Sequence, residues 1–215
     1  AVARGAWQNG GVLAPLLLPL LLAAHPPTDF VMSLSGVPVG HVRLAVRGAQ
    51  EQQLDYRSET WARRGPVVVR SVSRVEATLT DGGRIVRLEA DRHEGGVLVR
   101  TVSARAAEGG LKVRQVLPDG RLLESAAPSA TVPSALVPVL IAARSAGGER
   151  SCLTVLEESS GRAGEACGSA ERGQVAGEIL GEPFVAQVRE GRLERLELPG
   201  LRTVFTRTAE PPNEL

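Results

Sequence analysis

The sequence predicts a mainly antiparallel β-sheet protein with one helix, and three observations predict it. Short runs rich in Val, Leu and Thr recur from Phe30 to Arg207, several with strict alternation of apolar and polar residues. Glycine-containing turn signals of two to four residues separate most of these runs. A single stretch, 131–148, breaks the rhythm with helical spacing. Period-two alternation marks a strand with one buried face. Links this short suit antiparallel neighbours, because a parallel pair needs a crossover of a dozen or more residues.

Ahead of the sheet lies VLAPLLLPLLLAA, 12–24, preceded by Arg4 and followed by Ala23-Ala24-His25-Pro26-Pro27. A basic segment, a short apolar run and a small-residue cleavage site are the layout of a secretion signal. Thirteen residues fall short of the roughly 20 that a spanning helix needs, and Pro15 and Pro19 would interrupt one. We therefore expect a signal peptide over 1–24, cleavage after Ala24, and no stable membrane span afterwards. No Cys follows the run, so lipid attachment is not expected. The expected destination is the periplasm or the exterior of a bacterial cell.

FVMSLS, 30–35, opens the sheet and Gly36–Gly40 turns it into HVRLAVR, 41–47. There Val42, Leu44 and Val46 face one way, and His41, Arg43, Ala45 and Arg47 the other. PVVVRSVSRVEATLT, 66–80, ends at Asp81-Gly82-Gly83, and RIVRLEAD, 84–91, returns. His93-Glu94-Gly95-Gly96 reads as the next turn, leading to 97–106; Glu108-Gly109-Gly110 leads to 111–117, and Pro118-Asp119-Gly120 to 121–127. Such residues supply positive φ or a preset φ.

Within TVPSALVPVLIAARSAGG, Leu136, Leu140 and Ile141 are spaced for a helix. Ser134 is placed to cap it, Pro138 sits in its first turn and Gly147-Gly148 end it. The expectation is one helix of about three turns, laid on the sheet. Strands then resume at SCLTVLE, GQVAGEIL, FVAQVRE, RLERLEL and LRTVFTR. Residues 25–208 form one β-rich domain in this reading, and 209–215 a disordered polar tail.

Cys152 and Cys167 are the only cysteines. In an exported chain an even pair reads first as a disulfide. The two are equidistant from the Ser159–Ser160 bond, so a turn centred there sets them directly opposite. A three-residue turn ending on Gly161 would shift the register and separate them.

The chemistry-bearing residues are sparse. Net charge is +1, which gives no electrostatic case for nucleic acid or an anionic membrane surface. His25, His41 and His93 lack metal-ligand spacing, and no glycine loop precedes a helix to hold a phosphate. Asp91-Arg92-His93-Glu94 is the best local cluster, read as an exposed hairpin turn in water. Ser125, Ser129 and Ser134 lack a nucleophile-elbow setting and read as caps and turn formers. No catalytic, cofactor or metal residues are assigned, and the chain is expected not to be an enzyme.

The strand running into SGVPVGHVRLAV, with Gly36 and Gly40, resembles the opening of small exported bacterial β-domains that occur alone or ahead of transglutaminase-like domains. The closing stretch is similar to theirs too, through Val188, Gly191, Arg192, Leu193, Arg195 and Glu197. The likeness spans about residues 30–208, its motifs are short, and no catalytic residues carry over. It implies a curved antiparallel sheet, a half-barrel meander with one helix, like periplasmic lipoprotein carriers that hold acyl chains in the concavity. The expected function is a non-catalytic cell-envelope domain binding a protein partner or an apolar ligand. The alternatives are a lipid or lipoprotein carrier and an accessory domain of a transglutaminase-like enzyme.

Overall fold

The computed structural model describes residues 26–48, 51–64, 66–145 and 147–209. The expected signal segment and the tail beyond 209 lie outside the described residues. Fifteen strands form one sheet: β1 (Thr28–Leu34), β2 (Val37–Arg47), β3 (Glu51–Arg64), β4 (Val67–Thr80), β5 (Ile85–Glu94), β6 (Val97–Ala107), β7 (Gly110–Val116), β8 (Leu122–Ala127), β9 (Val132–Pro133), β10 (Ser151–Glu157), β11 (Arg162–Glu171), β12 (Gln174–Ile179), β13 (Glu182–Arg189), β14 (Arg192–Leu198) and β15 (Thr203–Thr208). Two meanders, β1 to β8 and β10 to β15, join through antiparallel pairing of β1 with β15, with Phe30 opposite Arg207. The mainly antiparallel, one-helix expectation therefore holds. One pair is parallel, β9 with β10, and its link is the long helical crossover that parallel pairing requires.

The connectivity forces the sheet to roll. Laid flat, the sheet would span roughly 65 Å at about 4.8 Å per strand spacing. Its edge strands β8 and β9 are joined by a few residues, and the step from Ala127 to Val132 reaches only about 17 Å. The edges consequently come round and overlap. The Ile85 N–H at the start of β5 donates to the Thr131 carbonyl at 2.9 Å. A Cβ at Gly161, in the β10–β11 turn, would lie 2.8 Å from Gln115 Cγ on β7. Val155 and Leu156 are consecutive on β10 and both fully buried. That strand is covered on both faces.

The helical segment is a 3-10 turn, Ser134–Leu136, followed by α1, Val137–Arg144. The helix is shorter than expected, at eight residues. Pro138 does sit in its first turn. Ser134 does not cap it; its hydroxyl is engaged elsewhere, as described below. Five consecutive residues, Val137 to Ile141, are buried, so α1 is an apolar plug inside the roll, packed against β10 to β14. Leu140 and Ile141 join Leu54, Leu79, Leu88, Leu111 and Phe184 in one continuous core. Each such side chain contributes roughly 2 kcal/mol on leaving water.

Two-residue turns close the tightest hairpins. At Gly95-Gly96 both φ values are positive, 58° and 85°, the geometry whose twist matches the flanking strands. Antiparallel order sends the β1–β2, β3–β4, β5–β6, β7–β8, β10–β11, β12–β13 and β14–β15 turns to one end of the roll. The remaining turns lie at the other.

Candidate functional site

A cavity of about 420 Å³ opens in the hollow of the roll. Its walls come from β1 to β5, the 3-10 turn, the β10–β11 turn and β12 to β15. One side is aliphatic and aromatic, with Phe30, Leu44, Leu193, Leu196, Leu198 and Phe205. The other carries hydroxyls. Ser58 and Thr60 on β3 stand opposite Ser73 and Ser71 on β4, and all four line the cavity. Arg92 of β5 continues the row beyond Ser73 and is held by Glu94 at 2.7 Å.

The polar focus is Glu158, the first residue of the β10–β11 turn and only 7% exposed. Its carboxylate accepts from the Ser134 hydroxyl at 2.5 Å and the Ala135 N–H at 3.0 Å. Ser134 and Ala135 open the 3-10 turn, where backbone N–H groups have no intrahelical partner. Glu158 thus supplies the capping oxygen that the sequence suggested Ser134 would give. Burial pushes its carboxyl above the ordinary glutamate range, against the pull of those two hydrogen bonds. Glu157 beside it adds to the push and accepts from Ser160 Oγ at 2.6 Å.

Tyr56 lines the same hollow. Desolvation raises its phenol to about 12, opposed by a hydrogen bond with Ser58, and the Glu158 charge raises it further. Tyr56 is the only tyrosine in the chain, so an ultraviolet absorbance titration reads it directly. A pH-jump record, taken before the protein unfolds, is expected to place its midpoint about two units above the ordinary phenol value near 10. A midpoint at the ordinary value would mean that the hydroxyl meets bulk water.

Leu180 closes one side of the cavity with φ +55°. A bulky residue in left-handed backbone is an outlier that its surroundings must hold in place. The Leu180 N–H donates to Glu165 O at 2.9 Å. Its Cδ2 occupies space that any side chain at Gly164 would need, 2.5 Å from an ideal Cβ there.

The residues singled out in the sequence fall elsewhere, in part. Asp91, Arg92, His93 and Glu94 are not a turn, as expected, but the half-buried end of β5, because the reversal is made by Gly95-Gly96 alone. Of the four, Arg92 lines the cavity. Asp91 and His93 stand 4.0 Å apart. Cys152 and Cys167 face one another in the β10–β11 ladder, Cα–Cα 4.1 Å, joined as a disulfide. The turn between them is Glu158–Gly161, symmetric about the Ser159–Ser160 bond. Among the described residues, no group of three or more His, Cys, Asp or Glu side chains is placed to hold a metal ion, and no helix is long and apolar enough to cross a membrane. Tyr56, Ser58 and Glu158 were not found from sequence.

No family model and no curated protein matches the chain. Among solved structures, it is similar to a β-barrel-like protein of the domain of unknown function DUF1849 from Brucella abortus. The two share 12% identity at a TM-score of 0.61, over 87% of this chain and 96% of that one. A DUF1089 family protein from Pseudomonas aeruginosa matches at 15% identity and a TM-score of 0.47, over 74% of this chain and 90% of its own. Neither is described as transglutaminase-associated. What the first likeness establishes is the fold: this chain has a β-barrel-like architecture.

Proposed function

We propose that this protein is a non-catalytic, exported cell-envelope domain that binds an elongated apolar ligand in the hollow of its rolled sheet. The observation that carries the reading is the cavity of about 420 Å³, a size within the range of small-molecule sites. Its two-sided lining suits an amphiphile. An acyl chain would lie along Phe30, Leu44, Leu196 and Phe205, and a polar head would meet Ser58, Ser73 and Arg92. The disulfide fits an oxidising compartment and supports the exported reading.

The test is uptake of a fluorescent fatty acid, together with mass spectrometry of lipid extracted from protein purified natively. Saturable binding is expected, and Leu196→Trp, which fills the aliphatic side, should weaken it about tenfold or more while the fold is kept. Absence of both extracted amphiphile and saturable uptake would sink the proposal. A carrier of lipid or lipoprotein is the sharper form of the same reading. It would require that bound amphiphile pass to acceptor vesicles or to a second protein.

A further inference from the structure

Among the described residues eleven large aliphatic side chains are exposed, and ten of them sit at one end of the roll. Leu34 and Val37 flank the β1–β2 turn, Val67 and Val68 follow the β3–β4 turn, and Val97 and Leu98 follow the β5–β6 turn. The β7–β8 hairpin and Leu201 complete the arc. Val86, at the opposite end, is the exception. Isolated exposed aliphatics are ordinary, but a concentration on successive hairpin tips is not. Leu201 is both 52% exposed and part of the cavity wall, so the cavity opens within this rim. The Ser35 N–H donates to Arg202 O at 2.9 Å, which ties the β1–β2 tip to the Leu201 turn.

Apolar side chains alone do not distinguish a bilayer from a protein surface; the charges around them do. Residues 33–40, 59–71, 92–100, 114–124 and 199–203, which make up this arc, hold eight arginines and four carboxylates, a net +4 on a chain whose total is +1. The four carboxylates, Glu59, Glu94, Asp119 and Glu124, are each within an ion pair with an arginine of the same arc. Glu157, Glu158 and Glu182 at this end belong to the β10–β11 and β12–β13 hairpins, which lie outside the aliphatic arc. Trp61, half-buried on β3 below the Val67 tip with its ring 5.2 Å from that of His41, adds a residue type favoured at the lipid–water boundary.

We infer that this rim seats on an anionic phospholipid surface, the aliphatic hairpin tips entering the headgroup layer and the arginines meeting lipid phosphates. The inference does not depend on what fills the cavity. It holds for a domain that touches the membrane with or without carrying an amphiphile.

The probe is a vesicle of phosphatidylglycerol and phosphatidylethanolamine, with phosphatidylcholine vesicles for comparison. The full chain carries Trp7→Phe so that Trp61 is the sole indole. Binding is expected to favour the anionic vesicles and to weaken with salt, and lipids brominated in the acyl chain should quench Trp61. Val67→Ser with Val68→Ser should lower partitioning about tenfold, and Leu34→Ser with Val37→Ser provides an independent pair at the neighbouring tip. Val86→Ser should leave partitioning unchanged. Three results would each overturn the inference. The first is vesicle binding without Trp61 quenching, which assigns attachment to the apolar run at 12–24. The second is tip variants that bind like Val86→Ser. The third is a rim-dependent dimer, dissolved by the tip substitutions in sedimentation, with no vesicle binding.

Discussion

Glu158→Ala is expected to destabilise the protein by roughly 2–4 kcal/mol, because it leaves two half-buried donors without an acceptor at about 1–3 kcal/mol each. Those donors are the Ser134 hydroxyl and the Ala135 N–H, both in the wall of the cavity. The same residue makes stability depend on pH in an unusual direction. Its folded carboxyl titrates above the ordinary range because of burial, so the folded chain holds the proton more tightly than the unfolded one. The resulting stabilisation is fully present below the ordinary glutamate value near 4.3 and is lost as pH rises through the higher folded value. Glu158→Gln removes that dependence. Urea midpoints of the wild type and the glutamine variant, compared from mildly acid to mildly alkaline pH, should show the wild type losing ground as pH rises. Glu59 and Asp119, lowered by hydrogen bonds to Arg70 and Arg121, lose stability on the acid side instead. Both proteins share them, so they cancel in the comparison. A difference that stays flat with pH would mean that Glu158 is not held in a desolvated site.

Breaking the Cys152–Cys167 link comes next in size. The bridge closes a loop of sequence separation 15, and a loop of that length contributes about 3 kcal/mol on the chain-entropy account. Cys152 lies exposed on β10, open to a reductant. The guanidinium midpoint should therefore fall on reduction, and by a similar amount in the Cys152→Ser, Cys167→Ser double variant. Local consequences are expected as well. The bridged hairpin carries Glu158 at its turn and packs against α1, so loosening it should expose the hollow and bring the Tyr56 midpoint back toward its ordinary value. An unaltered denaturation midpoint would place the hairpin's stability wholly in its ladder and core contacts.

Much of the sheet was legible in the residues, and the hollow was not, for one physical cause. Strand signals rest on apolar side chains at every second position, and this works for Val42, Leu44 and Val46 on β2. β3 lines the cavity, so its inward positions are Gln52, Leu54, Tyr56, Ser58 and Thr60, with one aliphatic among five. The segment accordingly carried no apolar stripe, although at 14 residues it is as long as any strand of the sheet. A weaker cue was present on the outer face, where Glu51, Gln53, Asp55, Arg57 and Glu59 alternate with uncharged neighbours. Glu158 is a second case. Within the sequence it is one polar residue of a polar turn, and only the overlap of the sheet edges buries it. The helix itself was legible and its two-turn length was not, for the converse reason: Val137 to Ile141 are all buried, and such a run has no polar face to mark where it ends.

The pairing of β1 with β15 bears on the order in which the protein folds. The strand nearest the N-terminus and the last strand of the domain meet at the midline of the sheet, so the roll stays unfinished until the C-terminal segment has been synthesised. Pairings this far apart in sequence make folding slow. Until β15 is in place, β1 keeps one open edge and the domain stays unclosed. The open edge is also a hazard, since unpaired strands recruit other chains.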